Sequence, residues 1–204
     1  MRHDTSTLQV TQQHINDLVL DVLPMQGQWR EDDYLWLTDH TLRLIEFTDG
    51  YLEVLPMPTD AHQTILLFLY ECFIAFLRPL GGKVLVAPLR LKIREDKFRE
   101  PDIVVMCSAD DERRQNRFWL GADVAIEVVS PDKPERDLVE KRRDYAEAQI
   151  PEYWIVNSQS ETITVLRLED SAYVEHGVFS RGGIAVSALL GGFEVGVDAV
   201  FDAD

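Results

Sequence analysis

Along the chain, hydrophobic positions fall into a few runs whose spacing identifies their elements. "LRLIEFTDGYLEVLPMP" holds two β-rich runs about Asp49-Gly50, a dipeptide suited to a tight turn, so a hairpin is expected that ends at Pro56 and Pro58. Residues 61–78 are apolar on nearly every face, which predicts a helix buried on several sides, capped by Asp60 and closed by Gly81-Gly82. "KVLVAPLRLKI" (83–93) reads as one strand whose second half alternates. The loop "REDKFRE" leads to a short apolar strand, "PDIVVM" (101–106). "SADDERRQNRFWLGA" is polar and expected to be mobile, and "DVAIEVVSP" carries the next strand, 124–129. A helix over about 137–149 follows, with Asp137 as N-cap and Glu140 three residues on, a capping-box spacing. "EYWIVN" is a continuous apolar strand with two aromatics read as core, "TITVLRL" alternates like a half-exposed edge, and the glycine-containing tail is β-like.

The helix between the strand ending at Val129 and the one holding Tyr153 implies a βαβ crossover. The fold class is therefore α/β, bordering on α+β, with a mixed sheet and helices packed on it. The first 40 residues read as small helices near 11–21 and 31–37. They are expected to form an N-terminal helical extension, 1–40, packed on a single domain, 41–204.

Composition changes this picture little. A content of 46% hydrophobic and 27% charged residues is ordinary for a soluble globular protein. The longest apolar run, 64–77, is read as too short to span a bilayer and is interrupted by Glu71. The polar N-terminus shows no signal-peptide core, so a cytoplasmic location is expected. Cys72 and Cys107 have no metal-type or redox-type spacing and are read as reduced core thiols.

Charge is more telling. A net charge of −16 argues against a generic polyanion binder. Residues 90–143, however, hold 13 of the 20 basic side chains and 13 of the 36 acidic ones, so this stretch is neutral. Within it, Arg90, Lys92, Arg94, Lys97, Arg99, Arg113, Arg114 and Arg117 are candidates to flank a phosphate-bearing ligand.

Two acids stand out because they sit in apolar strands: Asp102 in "PDIVV" and Glu127 in "VAIEVV". A buried carboxylate must be paired, hydrogen-bonded or metal-bound, or it takes up a proton. Strands consecutive in sequence are often neighbours, so the two can converge, and converging carboxylates repel unless a cation lies between them. Oxygen-only ligation favours Mg²⁺ or Mn²⁺ over Zn²⁺. The alternative places Asp102 in water at a strand start and pairs Glu127 with a basic residue of the next helix. Lys141 shares the apolar stripe of Leu138, Tyr145 and Ala148, and Arg142 lies nearby, so periodicity does not choose between them. A lysine there either orients a water and steadies negative charge or snorkels to solvent. Glu71 is a weaker buried-acid candidate.

Taken in order, "REPDIVV", "DVAIEVVSP" and "RDLVEKRRDYAEAQIPEYWIVN" resemble the Uma-two family of restriction-endonuclease-like proteins, itself similar to the PD-(D/E)xK nuclease superfamily. Upstream, "EFTDGYLEVLPMPTDAHQTI" resembles the family's first hairpin and helix start, so the likeness covers about residues 40–170. The resemblance implies a restriction-endonuclease-like core and a metal-dependent endonuclease that hydrolyses phosphodiester bonds in nucleic acid, with DNA the expected partner. It further implies Asp102 and Glu127 as ligands of Mg²⁺ (or Mn²⁺), joined by the carbonyl of Val128. The superfamily places a lysine two residues after the acid, where this chain has Val129, and Lys141 on the following helix matches the displaced lysine. Glu53 matches another acidic position, as third carboxylate or water-held ligand, unless it is an exposed hairpin acid. His62 falls where a family histidine falls, unless it is a capping or surface residue. The alternative function is a nuclease fold kept as a binding or regulatory partner with weak or no catalysis. A homodimer is expected if helix 61–78 and edge strand 162–168 need cover.

Overall fold

The structure is a computed structural model that describes residues 23–130 and 133–203; the helix expected near 11–21 lies outside them. The first hairpin forms as expected, from β1 (Ile45–Thr48) and β2 (Tyr51–Val54), with Asp49 and Gly50 at φ 47° and 87°. Gly50 is required there, because a Cβ would lie 2.8 Å from the carbonyl of Gly27, whose own N–H donates to the Gly50 carbonyl. Helix α1 (Glu31–Asp39) buries Tyr34 and Leu35 against this hairpin, with Tyr34 stacked on Phe47 at 5.2 Å.

Helix α2 (Asp60–Leu77) is capped by Thr59, whose hydroxyl accepts the His62 N–H, rather than by Asp60. With the short turn after it, Asp60–Leu80 is long and apolar enough to cross a membrane by length and composition, contrary to the sequence reading. It buries one face, Ile65, Leu66, Leu69, Phe73 and Leu77, and leaves Leu67 half exposed. Glu71 is exposed, which removes it as a buried acid.

The run 83–93 is two strands rather than one. β3 (Lys83–Val86) stays in the main sheet, while β4 (Leu91–Arg94) pairs with β5 (Lys97–Arg99) in the small one. Pro88 lies between them and has no N–H to give a ladder. The expected loop "REDKFRE" is thus the turn and second strand of a hairpin. β6 (Ile103–Met106), β7 (Val124–Val128), β8 (Glu152–Asn157), β9 (Thr162–Glu169) and β10 (Ala172–Ser180) complete the main sheet in the order β10-β9-β8-β7-β6-β3. Only β7 and β8 run parallel within it, joined by the predicted crossover. The small sheet runs β2-β1-β5-β4, and β11 (Ile184–Val186) with β12 (Glu194–Gly196) makes a third, followed by the short helix 197–201. β9 is not an edge, because β10 covers it.

Even-numbered residues of β7 and odd ones of β6 pack under α2, with Phe73 edge-on to Trp154 at 5.5 Å. The opposite face packs Ala125, Val104 and Met106 against Tyr145, Tyr153 and Trp119. Trp119 anchors the polar loop that was expected to move: it is buried, donates its N–H to Arg90 O and accepts that of Lys92. Cys107 is exposed rather than in the core.

The crossover helix departs most from its prediction. A π-helical turn (Arg136–Glu140) precedes α3 (Lys141–Glu147), and the Lys141 N–H reaches back five residues to Arg136 O. The turn changes the phase of the helix. Leu138 and Val139 face solvent, while Asp137 and Lys141 are buried together. Asp137 is therefore no N-cap; it lies inside the helix and accepts the Ser130 N–H with its carboxylate.

Candidate active site

The antiparallel register of β6 and β7 sets Ile103 opposite Ile126, so the next place sets Asp102 opposite Glu127. Side chains of a directly opposed pair point to the same face of a sheet, so the two carboxylates converge at one end of it. Both line a cavity of about 520 Å³ between the start of α2, the β1–β2 hairpin and the π turn. Asp102 Oδ2 accepts the Val128 N–H at 2.8 Å and stands 3.2 Å from His62 Nε2. Burial disfavours the His62 imidazolium, but the hydrogen bond and charge of Asp102 outweigh it and the histidine pKa is raised. The other ring nitrogen, Nδ1, is buried with no hydrogen-bond partner among the described residues.

Glu127 is 2% exposed. Its Oε2 lies 2.7 Å from Lys141 Nζ, and its Oε1 accepts the Tyr145 hydroxyl. Burial pushes the Glu127 carboxyl well above the usual range, Lys141 pulls it down, and Asp102 and Asp137 push it up again. Lys141 also reaches Asp137 at 3.1 Å and Glu46 at 3.9 Å. Burial alone lowers its pKa, but Glu127, Asp137 and Glu46 together raise it, so it stays an ammonium. A carboxyl held this far up gains most from a further cation close by.

The donors fit a hard divalent ion. Asp102 Oδ1 takes no hydrogen bond from the described residues. Continuing the register one place further sets Pro101 across from Val128, and proline has no N–H for the Val128 carbonyl. Two carboxylates and a carbonyl leave the remaining positions to water and substrate, the usual manner for Mg²⁺. Among the described residues no group of three or more His, Cys, Asp or Glu could hold a metal by protein side chains alone.

A sequence profile of the Uma2 family, described as putative restriction endonuclease, matches residues 31–198. The chain belongs to the Uma2 family. No curated protein matches it in sequence. Among solved structures it resembles one described as a putative nuclease belonging to DUF820, from Anabaena variabilis, at a TM-score of 0.70 and 20% identity. That match covers 88% of this chain and 98% of the other. The likeness shows that the Uma2 chain shares that protein's fold, here a central mixed sheet flanked by helices.

Of the residues singled out in the Uma2 sequence, the fold gathers Asp102, Glu127, Val128, Lys141 and His62 at one cavity and places Glu53 on its rim. There Glu53 is 42% exposed and pairs with Lys133 at 2.9 Å. Arg142 is excluded from the cavity; it donates to the Tyr173 carbonyl. Val129 packs in the core beside Tyr145 and holds no polar group where the superfamily lysine stands.

The eight basic residues of 90–117 do not flank the cavity. Seven are in ion pairs, such as Arg90 with Asp39, Lys92 with Glu31 and Arg94 with Asp49, and Arg114 bonds the Ala109 carbonyl. The cations at the cavity are instead Lys133, Arg136 and Lys141. Sequence reasoning also missed Glu46, Glu100 and Asp137. Glu46 is buried and takes Arg136 at 2.7 Å and Arg99 at 3.4 Å. Burial pushes it up, but Lys141, Arg99 and Arg136 outweigh that and hold it below the usual range. An acid inside an apolar strand, "LIEF", is the same signal that exposed Glu127 in "AIEV".

Proposed function

We propose that this Uma2 chain is a divalent-cation-dependent nuclease that hydrolyses phosphodiester bonds in nucleic acid. The observation that carries the reading is the opposed pair Asp102 and Glu127, sharing one cavity with Lys141 set 2.7 Å from Glu127. Asp102, Glu127 and the Val128 carbonyl would hold Mg²⁺ or Mn²⁺. A cation there supplies Lewis acidity toward a phosphoryl oxygen and makes water more acidic.

The rest is done by the chain's own groups. Asp102 is held in place by the Val128 N–H and by His62 Nε2, 3.2 Å away. Glu127 is aimed by Lys141 and the Tyr145 hydroxyl. The Lys141 ammonium keeps protons to donate toward charge that builds on the phosphate, in a site where burial strengthens the interaction. Asp137 and Glu46 hold that ammonium in position.

One observation favours a catalytically silent binding role: both Glu127 oxygens already have protein partners. A cleavage assay with Mg²⁺ or Mn²⁺ on DNA and RNA decides between the two. Wild type should cut and Glu127→Gln and Asp102→Asn should each lose at least about a hundredfold in rate. Equal activity in all three, or none in the wild type, contradicts the proposal.

A further inference from the structure

The cavity is lined by two kinds of side chain: the carboxylates with Lys141 and Arg136, and the apolar Leu44, Val54, Leu55, Met57, Leu66 and Leu67. Three of these apolar side chains are more than half exposed: Met57 at 81%, Val54 at 52% and Leu67 at 52%. Apolar side chains gathered beside a polar centre are the usual lining of a site that takes an organic group, and about 520 Å³ lies within the range of roughly 300–1,000 Å³ for such sites. Gln63 also lines it, and its amide carries both donors and an acceptor of the kind that pairs with a heterocycle's edge.

A duplex does not use such a lining. Its bases are stacked inward, and it presents rows of phosphates that need many lysines and arginines. Here the arginines and lysines of 90–117 are consumed within the fold, and the net charge is −16. Three cations face the cavity, and Lys133 and Arg136 share Glu53. That suffices for one or two phosphates. A single strand brings few phosphates to such a site and has bases that are free to leave the stack and lie on apolar side chains.

Building on the nuclease reading, we infer that the site takes single-stranded nucleic acid, seating one unstacked base on the apolar lining of Leu44, Leu55, Met57 and Leu67 while its phosphate meets Lys141 and the cation that Asp102 and Glu127 would hold. The strand end or a looped region of DNA or RNA meets this requirement; an intact duplex does not. Base contacts of this kind contribute enough to change affinity about tenfold or more.

The test measures binding by fluorescence anisotropy with Ca²⁺ in place of Mg²⁺ or Mn²⁺, which keeps a cation between the carboxylates and the phosphate while slowing cleavage. The probes are a short labelled single strand, its blunt duplex, and a strand of equal length with every base removed. The full-length single strand should bind about tenfold more tightly than either of the others. Leu67→Glu and Met57→Glu, both at exposed positions that tolerate a charge, should each erase that preference. Equal binding of duplex and single strand, equal binding of the baseless strand, or a preference that survives both substitutions overturns the inference while cleavage still upholds the nuclease reading. Absence of both binding and cleavage overturns the two together.

Discussion

Glu100 offers a sharp test of the electrostatics around the cavity. It is 4% exposed, lines the cavity, and accepts the Ile45 N–H at 2.9 Å. Burial and the neighbouring charge of Glu46 push its carboxyl from an ordinary 4.5 up to about 7. Between these two values the unfolded chain gives up a proton that the folded chain keeps. Stability therefore falls as pH rises from 4.5 to 7, and the loss is complete above that window. At about 1.4 kcal/mol per pH unit, the span corresponds to roughly 3 kcal/mol. Glu100→Gln removes the titration and keeps an oxygen for the Ile45 N–H. Urea unfolding of wild type and variant should coincide near pH 4.5 and separate by about 3 kcal/mol in the variant's favour at pH 8. Titrating groups that do not interact with Glu100 are shared and cancel in the difference. A constant difference across the range would refute the assignment of the burden to Glu100.

Three other outcomes follow from the same contacts. Lys141→Met leaves Glu127, Asp137 and Glu46 buried without their shared cation and should cost about 3–5 kcal/mol in chemical denaturation. Adding Glu127→Gln should recover part of that loss, and purely additive effects would mean that the pair is not coupled. Thr59→Ala should destabilise by about 1 kcal/mol while Asp60→Ala changes little, the reverse of what the sequence suggested about the cap. Phe73→Ala, which removes a fully buried ring between Trp154 and Phe193, should cost about 3–5 kcal/mol by thermal melting.

The main sheet was legible because its strands are long apolar runs punctuated by proline, glycine and acidic turns. "PDIVVM", "VAIEVV" and "EYWIVN" each became a strand, and the parallel pair around the crossover followed from their spacing. Asp102 and Glu127 were visible for the same reason: a charge is conspicuous in such runs. Less was legible where two effects compete locally. Residues 83–93 keep a continuous hydrophobic pattern although Pro88 sends the halves to different sheets. The π turn was invisible, since periodicity assumes an unbroken helix, and this turn is what swaps Leu138 for Asp137 at the buried face. The long basic stretch misled because charge counts carry no partners: Lys97 and Arg99 are occupied by Asp144, a residue 47 and 45 positions away. Glu46 went unnoticed because its hairpin was read for its turn and not for the acid within it.

Manganese binding tests the central claim most directly. Mn²⁺ titrated into the protein at pH 8 and followed by electron paramagnetic resonance should show one site in the wild type. That site should weaken as pH falls, because protons compete for the Glu127 carboxyl, whose affinity for them burial has raised. Asp102→Asn with Glu127→Gln should abolish it. Undiminished Mn²⁺ binding in the double variant, or no binding in the wild type, would contradict the assignment of these two carboxylates to a metal.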